Sequence, residues 1–473
     1  MNKLGIVSIL IFFLASCTVG PTYKVPSTSV PAEWKGGNFK ADSPLVEYWW
    51  EVFNDPMLSM LEDQAVKNNQ DLKAAVQRVF QARAFVGLEK SDLYPHLNLA
   101  PEYTSTGILF QVFGVPVPQP ILRIHQMVYS LPFRLTYELD LWGKLKSQYR
   151  AAVLNYEAQI SAYETTLLLL TADLANYYYQ LRAIDSQLEL LKKTTEVRKE
   201  ALEVNQERYR VGFINYSDVT RAETLYYDAD AEFSEASRQR AITENTIAVL
   251  IGVPASIFSI PPNPLYDPPP SIPAGLPSEI LLKRPDIKEL ERRAASEHAL
   301  INAAYASFFP SINFTGALGY SSPDLRDFLQ WNSRYWLIDG GGNVPLFDGY
   351  RNISNLELTW ARFGEASAYY KQGVITAFKE VEDALTSIQY EAEIMEKLEK
   401  AAIAAKTTVE ISSERYLRGQ TNYLDVSDSE GSSLKLQRQV IELLGRRYIS
   451  TVQLIKALGG SWNSLPQTSC PID

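Results

Sequence analysis

The sequence predicts a mixed α/β membrane protein built from two copies of one unit, each with two amphipathic strands and a long helical hairpin. Three observations predict this. One motif recurs at a fixed distance in the two halves, Met127 to Leu139 alternate between apolar and polar, and two very long stretches keep helical periodicity almost without proline or glycine. The 473 residues are 46% hydrophobic and 21% charged, enough apolar material to bury a sizeable core.

The chain opens on a segment unlike the rest. Lys3 supplies a positive charge, Leu4 to Leu14 form an apolar run, and Leu14-Ala15-Ser16-Cys17 follows. A bilayer-spanning helix needs about 20 apolar residues, so residues 1–16 read as a secretory signal. The small residues before Cys17 look like a lipobox, which implies cleavage there and a covalent lipid on Cys17. The plainer alternative is an ordinary signal peptide with a chance cysteine. Residues 17–60 are then an N-terminal lipidated segment. Cys470, the other of two cysteines, is left without an intrachain partner, so no disulfide framework is expected despite export. No later segment is apolar enough for a transmembrane helix, which leaves a periplasmic protein or a β-barrel.

Residues 61–252 and 279–460 read as repeats 1 and 2. Glu207-Arg208-Tyr209-x-x-Gly212-x-x-Asn215-Tyr216-x-Asp218-Val219 returns as Glu414-Arg415-Tyr416-x-x-Gly419-x-x-Asn422-Tyr423-x-Asp425-Val426. Eight identities in thirteen positions at an offset of 207 exceed chance. Asp71, Lys73, Arg78, Ala84, Pro95 and Asn98 match Asp286, Lys288, Arg293, Ala299, Pro310 and Asn313 at an offset of 215. The difference places eight extra residues between Pro95 and Lys144, a variation that belongs in loops. Residues 253–278 are proline-rich and form an extended linker, and residues 461–473 a C-terminal tail.

Each repeat opens on a helix and then changes period. After Pro95 two strands are expected near 95–140, and after Pro310 two near 310–348. Met127, Tyr129, Leu131, Phe133, Leu135, Tyr137 and Leu139 form one face, and Arg134, Thr136, Glu138 and Asp140 belong to the other. A strand between lipid and a wet lumen has this pattern, as does a strand in a soluble sandwich. Ile312, Phe314, Leu318 and Tyr320 repeat it more weakly. From Lys144 to Arg208 there is neither proline nor glycine, and Arg351 to Arg415 has only Gly364 and Gly373. Leu167, Leu170, Leu174, Tyr177, Leu181, Ile184, Leu188 and Leu191 step by three and four, a coiled-coil seam. Hairpin tips fall near 211–216 and 418–423. Four strands cannot close a barrel, for which about eight is the minimum, so the barrel reading requires self-assembly.

Further motifs mark a family. Trp49-Trp50 with Phe53-x-Asp55-Pro56, Leu139-Asp140-Leu141-Trp142-Gly143, Arg284-Pro285-Asp286-Ile287 and Phe309-Pro310 occur in order. Pro345-Leu346-Phe347-Asp348-Gly349, Glu380-Val381-Glu382-Asp383-Ala384-Leu385 and Lys456-Ala457-Leu458-Gly459-Gly460 follow. With the lipobox and the tandem repeat, this set resembles the outer-membrane factors of tripartite efflux systems, the TolC type, in their lipoprotein branch. The resemblance implies a homotrimer with a 12-stranded outer-membrane β-barrel, four strands per chain, continued by a long α-helical periplasmic barrel of coiled-coil pairs. It implies a passive duct for small molecules or drugs, lipid-anchored in the outer membrane, served by a periplasmic adaptor and an inner-membrane pump.

The resemblance also assigns residues. Val211-Gly212-Phe213 matches the triplet at which the adaptor docks, whereas Arg418-Gly419-Gln420 departs from it at both flanks of Gly419. Asp425 and Asp428 correspond to the acidic rings of the periplasmic gate, and Asp218 and Tyr416 to residues that hold the mouth shut. Thr421 stands where the family's latch has an arginine. Read without the family, Gly212 and Gly419 are helix C-caps and the aspartates favour helix N-termini.

Enzyme chemistry has no visible seat. His96, His125 and His298 are scattered, and no zinc-protease, nucleotide-loop or CxxC motif occurs, so no metal is expected. Glu380, Glu382 and Asp383 read as a solvated helix face. A net charge of −10 argues against nucleic acid. Two other readings stay open, an exit duct for one-step protein secretion and a non-conducting periplasmic coiled-coil scaffold.

Overall fold

A computed structural model of the chain describes residues 19–29, 31, 33–35, 48–111, 121–272 and 284–460, with backbone alone at 108–111 and 121–124. Cys17, Cys470, the end of the proline-rich linker and the C-terminal tail lie outside the described residues. Helices α1 (Pro56–Asn68) and α2 (Gln70–Ser91) lead to strands β1 (His96–Leu99), β2 (Glu102–Gln111) and β3 (Ile121–Leu139). The first hairpin is α3 (Lys144–Arg210) and α4 (Tyr216–Leu250). Repeat 2 follows as α5 (Pro285–Ala306), β4 (Ser311–Ser322), β5 (Arg334–Asn343), α6 (Arg351–Leu417) and α7 (Tyr423–Ala457). The hairpins match in length, α3 and α6 at 67 residues and α4 and α7 at 35. The chain divides into two compact units.

The first unit (residues 1–26, 79–159 and 290–370) holds one antiparallel sheet in the order β1–β3–β4–β5, with β2 also on β3. β1 and β2 form one interrupted line. Leu99 lies opposite Phe133 and Glu102 opposite Ser130, so the register is unchanged across Pro101, which has no N–H to give. The expected four strand lines are therefore present. Pro132 in the centre of β3 faces Gly319, where a Cβ would lie 2.1 Å from the Leu131 carbonyl oxygen. Only glycine allows that approach.

Below the sheet, the N-terminal segment is tied to the same unit. The Val19 N–H donates to the Trp142 carbonyl (3.2 Å), and the Tyr23 hydroxyl donates to Glu291 Oε1 (2.8 Å). Ala151 and Leu154 of α3 pack on Ala295 and Ala299 of α5, with Tyr23 against them. His298 is buried edge-on between Tyr23 and Phe363, and burial pushes its pKa down.

The second unit (residues 27–78, 160–289 and 371–473) contains the largest core. Trp49, Trp50, Leu58 and Leu61 meet Leu170, Leu174, Tyr178, Tyr179 and Leu181 of α3, Ile247 of α4, and Val452 and Ile455 of α7. Asp55 starts α1, its Oδ1 accepting from Met57 N and Leu58 N, while Oδ2 accepts from the Tyr178 hydroxyl at 2.5 Å. The heptad seam needs correcting here. Tyr177 is exposed, and Tyr178 and Tyr179 are buried instead. A heptad stripe suits one partner helix, whereas α3 is covered here from several directions and needs a wider face.

The described part of the linker is fixed at residues 260–265, not merely extended. Asp185 accepts from Arg182 Nη1 (2.7 Å), Arg240 Nε (2.7 Å) and the Asn263 N–H (2.9 Å). The two arginines also donate to the Pro261 and Ile260 carbonyls, at 2.8 and 2.7 Å. The face at Glu380, Glu382 and Asp383 is solvated as expected, and each carboxylate also has a partner. Glu380 accepts from Arg284 (2.7 Å), Glu382 from the Lys35 N–H (3.0 Å), and Asp383 pairs with Lys379 (2.9 Å).

Candidate functional site

Alternation along a strand sends successive side chains to opposite faces, so the register assigns each row of the sheet. Leu99, Phe133, Leu318 and Trp336 lie side by side and are 53, 52, 63 and 74% exposed. The next row on that face is Leu97, Leu135, Gly316 and Ile338. His96, Thr136, Thr315 and Asp339 form a row on the other face, and Glu138 and Asn313 another. Tyr129, Phe133 and Tyr137 thus share the apolar face, and Arg134 and Glu138 the polar one. Apolar outside and polar inside is the pattern of a membrane barrel wall. The sheet ends in two unpaired edges among the described residues, the β1–β2 line and β5.

The hairpin tips are one backbone device used twice. At the first, Phe213 N–H donates to Arg208 O and Gly212 N–H to Tyr209 O, both 2.9 Å, with Gly212 at φ +81°. At the second, Gln420 donates to Arg415 O (2.9 Å) and Gly419 to Tyr416 O (3.0 Å), with Gly419 at φ +70°. These pairs satisfy the last helical carbonyls, so both glycines are C-caps. What the caps display differs. Val211 and Phe213 are 54 and 82% exposed. Arg418 instead pairs with Glu414 one turn back.

The tyrosines beside the tips have unequal fates. Tyr209 and Tyr216 lie with ring centres 5.3 Å apart, tilted at 51°, and remain exposed, whereas their counterparts Tyr416 and Tyr423 pack with Leu202, Val219, Ala222 and Val426. The Tyr416 hydroxyl donates to Asn205 Oδ1 (2.8 Å), and the Arg208 guanidinium lies over its ring at 5.1 Å. Asn205 is 2% exposed and donates in turn to the Ala201 carbonyl (2.9 Å). Burial, reinforced by Glu430 and then Tyr416, pushes Tyr423 up to about 12, with Asp218 a smaller contributor. Burial also raises Glu430, while Arg198 opposes the shift.

The sequence-assigned residues therefore divide. Tyr416 is clamped, but by Asn205 and Arg208, which sequence reasoning did not select. Asp218 is half-buried in the first turn of α4. Asp425 and Asp428 are exposed on the face of α7 opposite the buried Tyr423, Val426 and Ser427. Asp425 also belongs to the helix start, where Asn422 Oδ1 accepts from its N–H (3.2 Å) and its own carboxylate accepts from the Thr421 hydroxyl. Among the described residues no cluster of His, Cys, Asp and Glu could hold a metal, and no helix is long and apolar enough to cross a membrane.

The family model described as outer membrane efflux protein matches residues 61–253 and 276–460. The chain is 29% identical over 471 residues to the probable outer membrane lipoprotein SilC of Salmonella typhimurium, covering 98% of this chain and 100% of that one. It is 30% identical over 472 residues to the outer membrane protein OprJ of Pseudomonas aeruginosa, covering 97% and 96%. The CmeC outer membrane channel of Campylobacter jejuni superimposes with a TM-score of 0.85 at 25% identity, over 94% of this chain and 95% of that one.

Proposed function

The chain belongs to the outer membrane efflux protein family, and on that footing we propose how its parts make a duct. It is an outer-membrane efflux channel, a passive conduit and not an enzyme. Three copies close a 12-stranded barrel with the apolar face toward lipid, and the hairpins continue the duct into the periplasm. The observation that carries this reading is the two-faced sheet with two unpaired edges. Unpaired edges demand a partner, and a closed barrel removes them.

The first tip, Val211-Gly212-Phe213, is the docking point for a periplasmic adaptor, and its exposed apolar side chains suit an apolar helical partner. Gly419 supports a second, more polar tip. An inner-membrane pump feeds small molecules into the duct. Under three-fold symmetry Asp425 and Asp428 become two acidic rings one helical turn apart, the periplasmic gate. Tyr416 and Asp218 belong to the contacts that hold it shut. Cys17 carries a lipid that adds an anchor to the barrel.

Native mass measurement in detergent, paired with planar-bilayer recording, tests the proposal. A trimer with discrete conductance steps is the expected result. A folded, monodisperse monomer overturns the barrel, and a trimer that never conducts favours the scaffold reading.

A further inference from the structure

A cleft of about 740 Å³ lies inside the second unit, between α3, α6 and α7, and the duct proposed above leaves it without a role. Its floor is closely packed. A Cβ on Gly445 of α7 would stand 2.6 Å from the Ala183 Cβ of α3, so the two helices touch there and only glycine fits. Ile184 of α3, Ile394 and Leu398 of α6, and Ile441 and Ile449 of α7 give the cleft apolar walls, and Gln439 adds an amide. Pockets that bind small molecules have this size, about 300–1,000 Å³, and this mixture of apolar wall with a few polar groups.

Two charged side chains, Glu442 and Arg446, complete the rim. A glutamate four residues before an arginine or lysine usually pairs with it along an exposed helix, as Glu396 does with Lys400 on α6 at 2.6 Å. Among the described residues, Glu442 and Arg446 make no ion pair with each other or with any other group. The cleft thus presents one free carboxylate and one free guanidinium, a helical turn apart, beside apolar walls.

The cleft also has a fixed place on α7. Asp425, Asp428, Ser432, Lys435, Glu442 and Arg446 are all exposed, and with Gln439 among them they step by three and four. Residues so spaced share one side of a helix. The cleft therefore opens at the far end of the polar stripe that begins at Asp425 and Asp428.

We propose that this cleft is a cargo-binding subsite on the wall of the duct, and that it takes an amphipathic zwitterion. The cargo's carboxylate meets Arg446, its ammonium meets Glu442, and its apolar body lies against Ile184, Leu398 and Ile441. The inference rests on the duct reading above, which turns Asp425 and Asp428 toward the lumen and the rest of the stripe with them. A duct with such a subsite retains one class of cargo longer than others, where a smooth tube would not.

The test uses full-length protein in lipid nanodiscs and three dansyl probes, with empty nanodiscs as the blank. Nε-dansyl-lysine is zwitterionic, dansylcadaverine cationic and dansylglycine anionic. Dansyl-lysine should bind saturably with raised emission. Arg446→Gln should weaken dansyl-lysine and dansylglycine about tenfold or more, through the loss of one charge-assisted hydrogen bond, and spare dansylcadaverine. Glu442→Gln should do the same to dansyl-lysine and dansylcadaverine and spare dansylglycine. Lys435→Gln, two turns along the stripe, should change none of the three. In planar bilayers dansyl-lysine should interrupt the current of wild type and not of Arg446→Gln. A conducting protein with no saturable binding, or with binding unmoved by both substitutions, overturns the subsite and leaves the duct standing. Binding without interruption of the current puts the cleft outside the duct and overturns its role in transport. A protein that never conducts overturns the duct itself, and this inference with it.

Discussion

Tyr416→Phe removes one oxygen and leaves the rest of the tip clamp in place. The ring still fills its place beside Leu202 and Tyr423, and Arg208 still lies over it. What is lost is the 2.8 Å bond to Asn205 Oδ1. A hydrogen bond contributes about 0.5–1.5 kcal/mol net, but an acceptor left buried without a donor costs about 1–3 kcal/mol. Asn205 is 2% exposed, so the larger figure applies. If three tips separate together, the closed mouth loses about 3–9 kcal/mol, at least a hundredfold in the closed-to-open ratio. Planar-bilayer recording should show raised resting conductance for Tyr416→Phe, and hydrogen exchange should quicken near Leu202 to Gly212. Adding Asn205→Ala, which removes the stranded acceptor, should cost little more, because the pair acts as one unit. Wild-type conductance with unchanged exchange would refute the clamp.

Other expectations follow from the same geometry. Cysteines at positions 134 and 138 should react with a membrane-impermeant thiol reagent and those at 133 and 137 should not; the reverse pattern means an inverted register. Asp425→Ala with Asp428→Ala should weaken cation selectivity and block by multivalent cations, and retained wild-type selectivity would reduce both residues to helix-start roles. Glu62 is fully buried with neither carboxyl oxygen hydrogen-bonded, and burial, then the charge of Asp63, raises its pKa well above the ordinary value. The folded state therefore favours the proton. Glu62 weighs least on stability below the usual carboxylate range and progressively more as pH rises toward its raised pKa. Glu62→Gln should flatten the fall in Tm as pH rises above the usual carboxylate range, and an identical pH profile would count against a buried acid. Fatty-acid labelling should tag wild type and not Cys17→Ser.

The sheet was legible because its chemistry is local. One strand of strict alternation set the faces, and Arg134 and Glu138 fell on the side that period two assigns them. Helix lengths and tips were legible for the same reason, through absent glycine and its return at Gly212 and Gly419. The repeated motif alone could not separate Tyr416 from Tyr209; only the family resemblance singled out Tyr416. One chain supplies a covering hairpin for only one of them, so the difference is tertiary. Asn205 was hidden likewise, since its counterpart is Ser412 and nothing in the motif marks it. Tyr177 was misread because a seven-residue stripe presumes one neighbour. Pro101 was not singled out in the sequence, and the unchanged register across it is visible only against the partner strand.

Asp185, gripped by two arginines and a linker amide, has a consequence for assembly fidelity. Two related repeats in one chain invite domain swapping, in which a half of one molecule takes its twin's place in another. A slack joint would permit that exchange at every round of folding. Here residues 260–265 are bolted to the first hairpin and leave it at a set point. A joint tied this way restricts where the following segment can start, and restricted connections disfavour exchange of like parts between copies.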